Sequence, residues 1–156
     1  MKTKQILLPI IVSLFLMSTV LALGTSIRGN GGDIYNIGND YYPTPSKIQF
    51  SAWSRDAVSQ NNGIQGEGSI SVTAKTWDNK RIVLNVNFEE IYSYKSSNYI
   101  YAICSGKGTY WKTGEGLQKI NEQIFYFYNR NTGLTSIQGW GDKYFYVYNI
   151  KTTQLK

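Results

Sequence analysis

Residues 68–88 carry two runs of alternating apolar and polar side chains, separated by a short polar turn. The apolar positions of the two runs are Ile70, Val72, Ala74, Ile82, Leu84, Val86 and Phe88. Because side chains alternate between the two faces of a strand, each run predicts a strand with one buried face. Asp78 and Asn79, between the runs, tolerate the left-handed backbone of a tight hairpin turn. A lone hairpin is marginal in water, so residues 68–88 predict a sheet to which the rest of the chain adds strands.

The rest of the sequence has the composition of an all-β protein. Of its 156 residues, 15% are aromatic and 13 are Tyr, and such residues favour strands. No internal window has the 3.6-residue period of an amphipathic helix. Further alternating segments begin at Lys47 and near Tyr99, Ile120 and Tyr144. The sequence therefore predicts one domain over residues 47–156, an antiparallel β-sandwich or small barrel of six or seven strands.

Three details of these segments predict local packing. The alternation slips by one residue at Glu89 and Glu90, which predicts a β-bulge or the end of a strand. Gly106 and Gly108 lie in mid-strand, where a missing side chain indicates the close approach of a neighbour. Cys104, the only cysteine, shares its strand face with apolar residues, so we expect a buried thiol rather than a reactive or intermolecular one.

The first 46 residues read as a targeting segment followed by a linker. Lys2 and Lys4 precede an almost wholly apolar run over residues 6–20, and a cut after Ala22 or Gly24 would suit a signal peptidase. We therefore expect residues 1–24 to be a signal peptide, with an uncleaved membrane anchor as the alternative. Residues 25–46 are rich in Asn, Gly and Pro and predict a flexible linker. In either case the domain is expected outside the cytoplasm, secreted or at the cell surface.

Charge and residue usage exclude several classes of function. The chain has 16 basic and 10 acidic residues, and without Lys2 and Lys4 the balance is 14 − 10 = +4. This mild charge is scattered, with Lys80 and Arg81 the only adjacent basic pair after the apolar run, so we expect no nucleic-acid partner. There is no His, which excludes His-based triads, Cys–His dyads and His metal sites. We expect no metal and no other cofactor.

Glycoside hydrolysis stays open as an enzymatic chemistry, because it needs neither His nor a metal, only two carboxylates about 5–10 Å apart. A Ser-Lys dyad also stays open, although no S-x-x-K motif stands in a suitable context. The candidate carboxylates are Glu89, Glu90, Glu115, Glu122 and Asp142. Glu89 and Glu90 are adjacent on a predicted strand, so their side chains point to opposite faces and cannot act as a pair. Glu115 and Asp142 lie in predicted loops that would have to meet at one end of the domain. Ordinary solvated surface carboxylates are the favoured interpretation.

The four tryptophans are the candidate ligand-binding residues. If Ile48, Phe50 and Ala52 face inward, then Trp53 faces outward, and the same parity argument applies to Trp77. An exposed aromatic ring on a sheet offers a flat apolar face and, in Trp, one N–H donor. Trp111 and Trp140 lie beside Gly-rich loops and would line one end of the domain. For every one of these residues, ordinary packing under a loop or against a second layer is the alternative.

Three segments together resemble a known family. They read KIQFSA at 47–52, GEGSI at 66–70 and AICSGKG at 102–108, and they are followed by an aromatic strand, a short turn and a last strand. This pattern, over residues 47–150, resembles the post-COAP-type domain of exported microbial proteins. The resemblance implies an antiparallel β domain outside the cell and no particular chemistry. The family usually carries an Asp-His pair near its first hairpin, and this chain has no His.

These observations favour a non-enzymatic, exported β domain that binds a polysaccharide or a surface protein through Trp53, Trp77, Trp111 or Trp140. One alternative is a carboxylate-based glycoside hydrolase. Another is a purely structural surface subunit that associates through exposed aromatic edge strands. Contact with a membrane is expected only through residues 1–24, if they are retained.

Overall fold

The computed structural model describes residues 24–40, 47–55 and 66–155, and every regular element in these ranges is a β-strand. The nine strands are β1 Gly24–Asn30, β2 Asp33–Ile37, β3 Lys47–Arg55, β4 Gly66–Lys75, β5 Arg81–Lys95, β6 Tyr99–Lys112, β7 Gly116–Asn129, β8 Leu134–Gly141 and β9 Phe145–Gln154. No helix in these ranges has the length and apolar character needed to cross a membrane. The predicted signal peptide, residues 1–24, lies almost wholly outside the described residues.

The strands form one antiparallel sheet that closes into an eight-stranded barrel. From β3 to β9 each strand pairs with the next one along the chain, and β1 pairs with both β3 and β9. The ninth strand, β2, continues the path of β1 and pairs with the first half of β9. Closure removes the open edges that a flat sheet would present. The all-β antiparallel prediction is confirmed, and the barrel replaces the sandwich alternative.

The strand count exceeds the predicted six or seven because the segment predicted as a linker contributes two strands. Within residues 25–46, β1 and β2 bury Ile27, Ile34 and Ile37. Between the two strands, Gly31 and Gly32 adopt φ of 69° and 108°, which an L side chain rarely accepts. These glycines let the chain bend from one strand into the next along the same partner, β9. Residues 41–46 of the predicted linker lie outside the described residues.

The interior of the barrel is filled by the inward-facing side chains of its strands, as expected for eight strands. The aromatic part of the core is in mutual contact: the Phe50 ring centroid lies 6.2 Å from that of Phe88 and 5.4 Å from that of Tyr126. Other fully buried inward residues are Ile48, Ile70, Val72, Ile82, Leu84, Val86, Ile100, Ala102, Ile124, Phe145 and Val147. This packing accounts for the alternation in the sequence.

The predicted hairpin and its neighbours are confirmed in detail. β4 and β5 pair with Val72 opposite Leu84, and Asn79 in the turn has φ of 64°. The register between β5 and β6 shifts after Glu89, where the bulge was predicted. A Cβ at Gly106 would lie only 2.6 Å from Val86 Cγ1, so the glycine permits the neighbouring strand to pack closely.

Candidate functional site

The structure places the four tryptophans on the outside of the barrel but does not gather them into one site. Trp53 on β3 and Trp111 on β6 are half-buried. Trp77, in the β4–β5 turn, and Trp140, at the end of β8, are 77% and 57% exposed. Trp53 pairs with Glu67 on β4, and Glu67 lies ten residues before Trp77. Ten residues of extended strand span about 33 Å. Trp53 and Trp77 therefore belong to opposite ends of the barrel.

Trp53 and Trp140 lie in the same row of side chains around the barrel. The row consists of outward-facing residues that are successive register partners on β3 to β8. Its members are Trp53, Glu67, Glu89, Ser105, Gln123 and Trp140. Five strand spacings separate the two tryptophans, about 24 Å along a curved surface. A single small ligand cannot touch both rings.

Next to Trp53 the outside of β1, β3, β4 and β5 carries mostly polar side chains. We call this surface the outer polar face, and it consists of Arg28, Gln49, Ser51, Trp53, Glu67, Ser69, Ser71, Asn85, Asn87 and Glu89. Its hydroxyls and amides bond across the strands: Ser71 Oγ donates to Asn85 Oδ1 at 2.7 Å. The hydroxyls of Ser51 and Ser69 are 3.4 Å apart. Such groups can both donate and accept hydrogen bonds.

The outer polar face contains a depression beside Trp53. A cavity of about 530 Å³ is lined by Trp53 together with side chains on both sides of it, including Arg28, Ser69, Asn87 and Glu89. A second cavity of about 360 Å³ adjoins it and shares Arg28, Ser51 and Ser69. The surface is low there because the side chains of Ser51, Ser69 and Asn87 are short. A flat indole beside hydroxyls, amides and carboxylates suits the apolar and polar faces of a sugar ring.

Two carboxylates face each other at the rim of this depression. Glu67 and Glu89 are direct register partners on β4 and β5, and both are exposed. Like charges directly opposite one another destabilise a sheet. Arg28 lines the same cavity and supplies a positive charge. The site is therefore polar and charged on one side and aromatic on the other.

Sequence reasoning named Trp53 but missed the polar residues around it. The signal was present in the hairpin, where the outward positions Ser69, Ser71, Asn85 and Asn87 are small and uncharged. Solvated strand faces more often carry Lys and Glu. What the sequence could not provide was the pairing of β1 with β3, which brings Arg28 beside these residues.

A second polar cluster lies at the end of the barrel that carries the β6–β7 and β8–β9 turns. Lys112 points inward, with its side chain 11% exposed, and its ammonium lies 2.7 Å from Asp40 Oδ2 and 3.0 Å from Glu115 Oε1. These two carboxylates raise the pKa of Lys112, chiefly through their hydrogen bonds to the ammonium. The cluster joins the end of β6 to Asp40, three residues beyond the end of β2. The predicted candidate Glu115 is thus engaged in an ion pair.

Glu122 and Asp142 come together at the same end of the barrel. Glu122 is 4% exposed, and its Oε1 accepts a hydrogen bond from the Lys143 backbone N–H at 2.6 Å. Burial raises the pKa of Glu122 to about 7, and the charge of Asp142 adds to the shift. Asp142 Oδ2 accepts from the Asn121 backbone N–H at 2.8 Å. Both carboxylates thereby hold the β8–β9 turn against β7.

A third surface on the outside of β6 and β7 is aromatic. The rings of Tyr99 and Phe127 stack with centroids 5.5 Å apart, and those of Tyr101 and Phe125 lie 6.2 Å apart. The side chains of Ile103 and Phe125 are 44% and 38% exposed. The sequence predicted that β7 has apolar residues on both faces, and its outward rings are covered partly by those of β6. We call these five residues the aromatic cluster.

The described residues contain no group of three or more His, Cys, Asp or Glu side chains that could hold a metal ion. Compared with known proteins, the chain matches no family model, no curated protein and no solved structure. The resemblance to the post-COAP-type domain therefore stays a prediction.

Proposed function

We propose that the protein is an exported, non-enzymatic binding module that holds a polysaccharide against its outer polar face at Trp53. The observation that supports this proposal is the depression of about 530 Å³ in which the indole of Trp53 meets hydroxyl, amide and carboxylate side chains. A sugar residue has an apolar ring face for the indole and hydroxyls for the polar groups. The expected signal segment, residues 1–24, would deliver the domain to the cell surface or beyond.

The shape of the surface favours an extended ligand over a small one. The depression beside Trp53 continues into the second cavity through Arg28, Ser51 and Ser69. Both cavities lie open on the outside of the sheet, so a chain can pass through them without being threaded. An open, polar groove binds through many weak contacts, and its affinity depends on the length of the ligand.

Affinity electrophoresis through gels that contain laminarin, xylan, mannan or dextran tests the proposal. We expect one of these polysaccharides to retard the protein and Trp53→Ala to weaken its binding at least about ten-fold, or 1.4 kcal/mol. Trp77→Ala is the matched control, because it removes an exposed indole at the other end of the barrel. Retardation by none of the four, or equal losses from the two substitutions, would overturn the proposal.

A carboxylate-based glycoside hydrolase is a second candidate, favoured by one observation. At pH near 7 Glu122, whose pKa is about 7, is partly protonated beside Asp142, and glycosidases pair a neutral with an ionised carboxyl group. The burial of Glu122 counts against it, because a glycosidic oxygen must reach the acid. Release of reducing ends from the same polysaccharides, lost in both Glu122→Gln and Asp142→Asn, would establish the hydrolase.

A structural subunit that binds another surface protein is a third candidate, and the exposed aromatic cluster favours it. Ile103 and Phe125 offer apolar area that a partner would cover. Size-exclusion chromatography with light scattering, over a range of concentrations, tests association with itself. If the wild type associates through this surface, its mass should rise with concentration and that of Phe125→Ser should not. A wild type that stays monomeric at every concentration would contradict self-association.

A further inference from the structure

We propose that the protein docks on membranes rich in anionic phospholipid through the barrel end that carries the β4–β5 and β6–β7 turns. Among the exposed large apolar side chains of the described residues, Trp77 and Leu117 are the most exposed, at 77% and 69%. Trp77 lies in the first of these turns, and Leu117 is the second residue of β7, just beyond the other turn. This surface shares no residue with the outer polar face, and the contact would be separate from the one expected through residues 1–24.

The two turns lie side by side and are held in place by hydrogen bonds. The Thr113 N–H donates to the Arg81 carbonyl at 3.0 Å, and the Arg81 N–H donates to Thr113 Oγ1 at 3.1 Å. Within the β4–β5 turn, the Thr76 N–H donates to the Lys80 carbonyl at 2.9 Å. The tip that carries Trp77 is therefore formed before any partner arrives, and a preformed surface loses less entropy when it binds.

An apolar row runs beside the turns on the outside of three strands. Val83 on β5 pairs with Trp111 on β6, and Trp111 pairs with Leu117 on β7. Val83 and Trp111 are half-buried, whereas Leu117 projects from the end of the row. A stacked sugar needs one flat ring, but apolar side chains that project from two neighbouring turns fit a surface that they can enter. Trp and Leu favour the boundary between lipid headgroups and acyl chains.

Basic side chains that are scattered in the sequence come together around this row. They are exposed, they face outward on β3 to β7, and they are Lys47, Lys75, Arg81, Lys107 and Lys119. Lys75 and Arg81 are direct register partners, and like charges directly opposite one another destabilise a sheet. None of the five forms an ion pair with a described acidic residue. The headgroups of anionic phospholipids would supply the missing countercharges.

The acidic residues at this end of the barrel do not cancel that charge. Asp78 in the β4–β5 turn lies 2.8 Å from the ammonium of Lys80, and Glu115 lies 3.0 Å from that of Lys112. The two carboxylates of the outer polar face lie in the row of Trp53. The outside of β3 to β7 is therefore polarised, with its acids beside Trp53 and its bases towards the two turns. This charge separation favours an anionic partner at the turns.

Co-sedimentation with sucrose-loaded lipid vesicles tests the proposal. We expect vesicles of phosphatidylglycerol and phosphatidylcholine in equal parts to bind the protein at least about ten-fold more tightly than vesicles of phosphatidylcholine alone. Binding should weaken as the salt concentration rises, because salt screens the charges of the headgroups.

Substitutions separate insertion from simple charge attraction. Trp77→Ser should weaken binding to the anionic vesicles at least about ten-fold. The control Trp140→Ser removes another exposed indole and should leave that binding unchanged. Arg81→Gln should weaken it about five-fold. The control Lys151→Gln removes an exposed charge on β9 and should weaken it less than about two-fold.

The proposal fails if the protein binds neither kind of vesicle, if it binds both equally, or if Trp77→Ser binds as the wild type does. Retardation in a gel that contains polygalacturonate, weakened by Trp77→Ser and without binding to vesicles, would also overturn it. That result would assign the surface to an anionic polysaccharide instead. Binding of a neutral polysaccharide at Trp53 is independent of each of these outcomes, so the two proposals can fail separately.

Discussion

Lys112 and Asp40 form a 2.7 Å ion pair across the end of the barrel, although they are 72 positions apart in the sequence. Glu115 completes the cluster at 3.0 Å from the same ammonium. Because the side chain of Lys112 is only 11% exposed, the two carboxylates stabilise its ammonium charge more than water does. The cluster fastens the segment that follows β2 to the barrel.

Lys112→Met should lower the free energy of unfolding by about 1–3 kcal/mol, because it leaves two carboxylates without their shared cation. Urea unfolding at pH 7 measures the change. Lys80→Met is the matched control: its ion pair with Asp78 is exposed, with side chains 48% and 58% accessible, so its loss should change the urea midpoint much less than Lys112→Met does. Equal losses in the two variants would show that burial adds nothing at Lys112.

Glu122 should make the protein less stable as the pH rises. Its pKa is raised from 4.5 to about 7 in the folded protein, so between these values the unfolded chain ionises while the folded one stays protonated. The contribution of Glu122 to the free energy of unfolding is therefore fully present below pH 4.5. About 3 kcal/mol of that contribution is lost by pH 7 and above. Glu122→Gln should flatten the difference between urea midpoints at pH 5 and pH 8. An unchanged pH dependence in this variant would contradict the assignment.

Cys104 should be unreactive in the folded protein. Its side chain is 3% exposed, Sγ lies 3.6 Å from the Ile124 carbonyl oxygen, and burial raises the pKa of the thiol to about 12. Reaction with a disulfide reagent at pH 8 should therefore require unfolding by urea, since the thiolate is the reactive form. Ser105→Cys adds a thiol at the neighbouring exposed position and should react at once. Rapid labelling of Cys104 in the native wild type would contradict this prediction.

Gly108→Ala should be strongly destabilising. A Cβ at this position of β6 would overlap the backbone of Asn85 on β5 and lie 2.8 Å from Val86 Cα. Backbone in a closed barrel cannot move aside as the end of a side chain can, so we expect a loss of at least about 3 kcal/mol. Thr109→Ala, one residue along the strand, is the control and should cost under about 1 kcal/mol. Denaturation midpoints compare the two variants.

The central hairpin could be predicted from the sequence because its two faces differ sharply in polarity. Ile70, Val72 and Leu84 could not face water, so the register followed, and the turn at Asn79 and the bulge after Glu89 followed from the same pattern. β1 and β2 could not be predicted in this way. Their few apolar residues do not alternate, and they are strands because β3 and β9 supply partners for them.

The candidate sites, like the strands, could be predicted from the sequence only in part. That Trp53 faces outward followed from parity along β3, but the depression beside it depends on which strands lie next to each other. The buried polar residue Asn36 was missed, because β2 lies in the segment predicted as a linker and is a strand only through its pairing with β9. Sites built from neighbouring strands require the topology, which short-range patterns do not contain.

The pairing of β1 with β9 imposes an order on folding. Every other barrel pairing except β1 with β3 joins consecutive strands, whereas Ile27 pairs with Gln154, nearly the whole described length away. Local hairpins form early, and the ring can close only after the last strand has been synthesised. Until then β1 and β8 are unprotected edges, which can pair with other chains. A chain truncated before β9 would therefore be expected to aggregate. The ten residues of β9 close the barrel and so protect the edges of all the strands that form before it.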